Sequence, residues 1–274
     1  MIAYLAAHSK VIDQIGINAL LAVSLMISLR AGQLALAQVA FMGIAAYAGS
    51  LVAIDYAWNL PLSMLAGALC AMAAAALLAL PIARLRGVFL AIATIGFGEV
   101  ARIVEINVPV TGGAEGLANI PNDANTGWIY GTLVLTLAAL LAFGRGRWVL
   151  ALDAVREDEI AARGCGIDVG SVRFGALVAG SGIAGVAGVL YAHANFFITP
   201  GDFGFARMEQ VLVYSVIGGT TSALGSALGA AAMTLLPEAI RFLNDYRVIT
   251  TGVLLLVFIV FVPRGLAGLW QRTS

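Results

Sequence analysis

An ionisable side chain inside an apolar run is expensive in hydrocarbon, so each one is a functional candidate. Glu99, Arg102 and Glu105 stand at i, i+3 and i+6 within the apolar run 88–106. Residues three apart on a helix are neighbours, so Glu99 and Arg102 share a face. They read either as a structural ion pair near the outer end of the run or as part of a solute path or gate, and spacing leaves both open. Gln38, in the run 34–54, either bonds across helices or lines such a path. Thr94 carries a hydroxyl that either bonds the preceding turn of its own helix or faces a solute.

A second concentration of chemistry lies in 144–173, which holds a third of the chain's thirty charged residues. Within it, 151–163 reads as one short helix. It has good helix formers, a favourable Glu159 to Arg163 pair, and Gly164 and Gly166 as stop signals. Leu152, Val155 and Ile160 are too few to give this helix a core of its own. It is therefore either a solvated connector or a docking helix for a cytoplasmic partner.

Other chemistries are absent from the residues. Lys10 is the one lysine among fifteen basic residues, and nothing near it forms the G-x-x-x-x-G-K-[ST] loop that would bind nucleotide phosphates. Fifteen basic residues balance fifteen acidic ones, so no surplus points to nucleic acid. An intramembrane serine protease needs a G-x-S-G serine facing a histidine on another helix. The nearest string is Ala179-Gly180-Ser181-Gly182, and His193 falls on the same predicted helix as Ser181. An ion-coupled secondary transporter would place carboxylates at mid-span in symmetric halves, and no such pair occurs. His193 has no partners for a metal site and reads as interfacial. Glu209 and Glu238 lie near predicted span ends, within reach of solvent. Cys70 reads as a buried free thiol, and Cys165 lies in the charged loop, too differently placed for a disulfide.

The elements that position these groups follow from composition. The 274 residues are 61% apolar and 11% charged, with a mean hydropathy of +0.97, far from the roughly 25% charge of soluble domains. A bilayer core needs about 20 apolar residues per helix. Nine runs qualify as candidates: 11–29, 34–54, 61–80, 88–106, 128–143, 174–194, 208–217, 223–240 and 248–262. The seventh is short and leads into Gly218-Gly219-Thr220, as a half-helix or re-entrant hairpin would. The expected fold is an all-α, polytopic transmembrane bundle of about 9 spans (8–10), with 1–274 as one domain and 144–173 as its cytoplasmic loop. The N-terminus lacks the basic and apolar regions of a cleaved signal, so the first run reads as a retained span. Glycine spacings such as Gly182, Gly185, Gly188 and Gly225, Gly229 allow close helix approach.

Orientation follows from the positive residues, which concentrate in cytoplasmic loops. With the N-terminus outside, ten of the fifteen fall inside (Arg30, Arg84, Arg86, Arg145, Arg147, Arg156, Arg163, Arg173, Arg264, Arg272) and four outside (Lys10, Arg207, Arg241, Arg247), with Arg102 in a span. The segment 107–127 has no Lys or Arg and falls outside.

Several strings, in order along the chain, carry a resemblance. They are GQLALAQVAFMGIAAY (32–47), RLRGVFLAIATIGFGE (84–99), TGGAEG (111–116), AVREDEIAARGCGI (154–167), Gly218-Gly219 followed by Gly225 and Gly229, and PRGLAG (263–268). Together they resemble the LivM-type branched-chain amino-acid permeases of ATP-binding-cassette importers over roughly residues 15–270. The generic coupling pattern of such permeases is E-A-A-x-x-x-G. Here Ala161, Ala162 and Gly166 keep the spacing, but Ile160 takes the acidic position and Glu159 comes one residue early. The family would also lead one to expect one more span ahead of this N-terminus.

The resemblance implies an importer permease fold in a bacterial cytoplasmic (inner) membrane and no catalytic residues in this chain. The partners it implies are a second permease, two cytoplasmic ATPase subunits that use ATP-Mg, and an extracytoplasmic solute-binding protein. It casts Arg156, Glu157, Asp158, Glu159, Ala161, Ala162 and Gly166 as the ATPase-coupling element, and Gln38, Thr94, Glu99 and Arg102 as solute-path or gating candidates. Branched-chain amino acids are the first expectation for the solute, with urea, short amides or other small solutes as the alternative.

The orientation is testable. In a chain whose own cysteines are replaced, Glu115→Cys should react with a membrane-impermeant maleimide from the outer face. Labelling from the cytoplasmic face alone would reverse the topology.

Overall fold

A computed structural model of the chain describes residues 2–144 and 146–239. The predicted runs 248–262 and the arginines at 145, 241, 247, 264 and 272 lie outside the described residues. Ten α-helices occur among the described residues: α1 (Ile2–Arg30), α2 (Gln38–Tyr56), α3 (Leu60–Ile82), α4 (Gly87–Asn107), α5 (Thr126–Phe143), α6 (Arg147–Glu157), α7 (Glu159–Gly164), α8 (Val169–Asn195), α9 (Phe205–Gly218) and α10 (Ala223–Ala239). Six are long and apolar enough to cross a membrane: Lys10–Arg30 of α1, α2, α3, α4, α5 and α8. Against the predicted count of about nine spans, the described residues hold six helices of spanning length and the shorter α9 and α10.

The long helix α8 is central, packed on α1, α2 and α3. Small residues make this possible, because without a hydrophobic force between helices in lipid, association relies on close van der Waals fit. A Cβ on Gly188 would overlap the Met42 carbonyl of α2, while one on Gly185 would sit 2.9 Å from Ala71 Cβ of α3. Ala176, Ala184 and Ala187 of α8 are also fully buried. By contrast α4 and α5 bury few residues and expose large side chains such as Phe89, Ile92, Leu135 and Leu141.

The second predicted run begins late. Residues 34–37 are not helical, and α2 starts only at Gln38. Gly32 takes a left-handed φ of 68° that reverses the chain after α1. The non-helical segment is then held by a bond from the Leu36 N–H to Thr94 Oγ1 of α4 at 2.9 Å. Irregular backbone at membrane depth survives only when protein buries it, and Ala35, Leu36 and Ala37 are indeed buried.

The seventh run falls within a helix shorter than the six of spanning length. Helix α9 runs 14 residues and packs antiparallel to α10. The turn between them carries Thr221 and Ser222 to the level of Met26 and Arg30 of α1. Two side-chain bonds tie the pair to α1: Ser215 Oγ donates to the Ala22 carbonyl at 3.0 Å, and Asn18 Nδ2 donates to Thr234 Oγ1 at 3.0 Å.

Two residues differ from expectation. Cys70 is exposed, because α3 buries only the stripe through Gly67, Ala71, Ala75 and Leu78, leaving Cys70 on the opposite side. His193 is fully buried, its Nδ1 lying 3.0 Å from the Val189 carbonyl one turn back.

Gly188→Ala should lower the thermal midpoint of the detergent-extracted protein, since backbone must shift to admit the methyl, at a cost of about 1–3 kcal/mol. Gly96→Ala, where nothing lies within 4 Å, should leave the midpoint unchanged. Equal effects would contradict the packing described.

Candidate functional site

The charged segment folds as two helices where the sequence reads as one. Helix α6 ends at Glu157, Asp158 adopts an extended backbone (φ −152°, ψ 111°), and α7 begins at Glu159. The Asp158 carboxylate explains the break. It accepts from the N–H groups of Ile160 (2.8 Å) and Ala161 (3.0 Å), so it caps a new helix instead of continuing the old one.

Apolar residues anchor this pair to the bundle. Val149, Leu152 and Val155 of α6 are buried, and Leu152, Val155 and Ala162 join a core with Met26, Ile27 and Ala31 from the end of α1 and Val172 and Ala176 from the start of α8. The helix that lacked a core of its own thus shares one with the spans. Gly32 also lets the α1–α2 turn approach α6, since a Cβ there would lie 3.4 Å from Arg156 Cα.

Ionic contacts add direction. Arg30 at the end of α1 donates from Nε and Nη2 to the two carboxylate oxygens of Asp153, at 2.6 and 2.8 Å, in the bidentate geometry that favours arginine. Glu159 takes three arginines from three places: Arg86 before α4 (3.0 Å), Arg163 on α7 (2.8 Å) and Arg173 on α8 (3.2 Å). An exposed pair is worth about 0–1 kcal/mol. The set matters as a network, with the Glu159 side chain 16% and that of Arg173 19% exposed. At the start of α8, the Ser171 hydroxyl and the Gly170 N–H bond the Asp168 carboxylate and hold its pKa below the usual carboxylate range. A depressed pKa keeps this cap charged above that range and loses it only as pH falls through the lowered value.

The candidate coupling residues therefore divide. Glu159 turns inward to the chain's own arginines and Ala162 is buried. Arg156, Glu157, Asp158, Ala161 and Gly166 are exposed. Ile160 is 84% exposed at the tip, an apolar side chain facing outward between charges. The arginines predicted to lie inside, Arg30, Arg86, Arg163 and Arg173, converge on this one end of the bundle.

The path candidates lie elsewhere. Gln38 is buried, with Nε2 donating to Ser28 Oγ at 3.0 Å. Thr94 is fully buried, donating to the Leu90 and Ala91 carbonyls at 2.9 Å while accepting from Leu36 N–H. Glu99 and Arg102 pair at 3.0 Å and are 40% and 35% exposed. Glu99 opens onto a cleft between α2, α4 and the start of α9, lined by Val39, Gly98, Phe203, Phe205 and Met208.

Sequence reasoning missed most of the groups gathered behind this cleft. Glu105 is 6% exposed, and neither of its carboxylate oxygens has a hydrogen-bond partner among the described residues. It packs against Gly43, as does Phe203. The Phe203 ring meets Tyr47 and Tyr191 edge-on, each at 6.0 Å between centroids. The Arg207 guanidinium stacks 4.3 Å over Tyr191, with Nε and Nη2 unpartnered among the described residues. Only the i+6 position of Glu105 hinted at this cluster, since Tyr47, Tyr191 and Arg207 come from three other elements. No group of His, Cys, Asp or Glu among the described residues is arranged to hold a metal ion.

Residues 8–262 match the family model described as branched-chain amino acid transport system / permease component. The chain belongs to this family. It is 32% identical over 270 residues to the high-affinity branched-chain amino acid transport system permease protein LivM of Escherichia coli (strain K12), covering 86% of this chain and 64% of that protein. The corresponding LivM of Salmonella typhimurium is 32% identical over 274 residues with the same coverage. A probable branched-chain amino acid transport permease protein LivM of Methanocaldococcus jannaschii is 27% identical over 227 residues, covering 70% of this chain and 63% of that protein. The chain thus spans less than two thirds of the length of these curated relatives. No solved structure matches. The family and the six helices of spanning length make this a multi-pass protein of the cytoplasmic membrane.

Removing the Glu159 carboxylate should loosen α7 from the bundle. In inside-out vesicles, Glu159→Ala should speed tryptic cleavage after Arg163 several-fold relative to wild type. An unchanged rate would mean that apolar packing alone holds the helix pair.

Proposed function

We propose that the chain is a membrane-spanning permease subunit of an ATP-binding-cassette importer. On this reading it works with a second permease, two cytoplasmic ATPase subunits that bind and hydrolyse ATP-Mg, and an extracytoplasmic solute-binding protein. It binds no cofactor of its own and is not itself an enzyme. The observation that carries the reading is the α6–α7 element. An outward ridge of Arg156, Glu157, Asp158, Ile160 and Ala161 is backed by a core and ion pairs that reach α1, α4 and α8. A surface that only solvated the membrane face would need no such ties. A surface that receives a push and passes it to the spans needs all of them.

Alternating access then has a physical route. Closure of the ATPase subunits displaces α6–α7, and the Arg30, Arg86 and Arg173 contacts hand the displacement to three helices. Solute enters from the binding protein at the outer end, beside the 107–127 segment, which pairs with the 196–198 region through the Leu117–Ile198 bridge. The path runs along the α2–α4–α9 cleft past Glu99 and Arg102, with the polar side chains of Glu105 and Arg207 behind it. Gln38 and Thr94 act as supports for α2 and the non-helical 34–37 segment. Branched-chain amino acids, after which these relatives are named, are the solutes proposed.

The test is leucine uptake into proteoliposomes holding the chain with its partner permease and ATPase subunits, supplied with binding protein outside and ATP inside. Wild type should accumulate leucine only with ATP. Ile160→Asp should cut uptake at least tenfold with membrane assembly intact. Uptake by the chain alone on an ion gradient, or undiminished uptake by the variant, would overturn the reading.

A further inference from the structure

At the arginine-rich end, the last turn of α3, the start of α4, α7 and the first turns of α8 enclose a cavity of about 260 Å³. Its polar side is Arg86, Arg163 and Arg173, together with Gln33 from the α1–α2 turn. Its apolar side includes Leu80 and Phe174, which are 73% and 45% exposed. Glu159 supplies one negative charge to these three positive ones. The other nearby carboxylate, Asp168, is engaged in capping α8. Asp168 still carries its charge and acts on Arg163, so one positive charge is left uncompensated. Arg173 Nε and Gln33 Oε1 are moreover buried without a hydrogen-bond partner among the described residues, an expensive condition for either group.

A ligand that satisfies this cavity carries a compact anion with several acceptor oxygens, a donor for Gln33 Oε1, and an apolar body that lies along Leu80 and Phe174. The cavity sits at the cytoplasmic ends of α3 and α8, where phosphates of the inner leaflet reside and where basic pockets between helices take anionic headgroups. We propose that it binds the phosphate of an anionic phospholipid of the cytoplasmic leaflet. The headgroup hydroxyl meets Gln33, and the acyl chains run down the groove between α3 and α8. The phosphate competes with Glu159 for the same arginines, so occupancy weakens the tie between α7 and the spans. The annular lipid thereby tunes the stiffness of the coupling element. The lipid site itself is separate from the solute path; its effect on coupling rests on the importer reading.

Lipid selectivity of the purified full chain in nanodiscs tests this without any transport. Spin-labelled phosphatidylglycerol and phosphatidylcholine are compared by the fraction motionally restricted on the protein. Wild type should prefer phosphatidylglycerol. Arg173→Gln should reduce that preference about fivefold, the worth of one arginine at an anionic surface, while Arg173→Lys should retain most of it. Glu159→Gln, which removes the internal competitor, should raise the preference, a change that misfolding does not produce. Equal association of the two lipids with wild type, no loss in Arg173→Gln or no gain in Glu159→Gln would overturn the proposal. Displacement of phosphatidylglycerol by millimolar inorganic phosphate would assign the cavity to a soluble anion and overturn it as a lipid site.

Discussion

Glu159 holds arginines from the α3–α4 turn, from α7 and from α8 at once, and with the Arg30–Asp153 pair it makes α6 and α7 part of the membrane bundle. Helices of 11 and 6 residues are too short to be stable alone in water. Their shape exists because the spans supply both a core and counter-charges. Whatever meets the outward ridge therefore meets, mechanically, the ends of α1, α4 and α8.

That tie is useful only if the spans are stiff. Around α8 stiffness comes from small residues, whose backbones touch with no flexible side chains between them. A displacement at one end of such a stack is not absorbed by rotamer changes. Helices α4 and α5 contrast with this centre, being little buried and rich in exposed large apolar residues. Their loose packing suits a surface that slides against lipid or another subunit, and the Glu99–Arg102 pair sits on that looser side.

Much of this was legible in the sequence because lipid imposes simple rules. Apolar runs located the six long spans, the arginines marked one end, and glycine spacing foretold close packing. Failures came where tertiary contacts overruled local pattern. Residues 34–37 are as apolar as a helix interior, yet Gly32 and the Thr94 hydroxyl hold them out of a helix. The string 151–163 has helical propensity throughout, yet Asp158 finds it better to cap than to continue. Glu159 looked like a docking charge because nothing local shows that Arg86 and Arg173 will arrive beside it. Beyond Glu105, the cluster with Tyr47, Phe203 and Arg207 was hidden for the same reason, as its members are scattered over 160 residues.

The central claim is that movement of α6–α7 reaches the spans through specific ion pairs. A charge-swap cycle at Arg30 and Asp153, read as ATP-driven uptake by the assembled transporter, tests it most directly. Arg30→Asp and Asp153→Arg should each lose most uptake while ATP hydrolysis continues, and the double variant should recover a large part of it. Single variants that transport like wild type, or a double variant no better than either, would contradict the account.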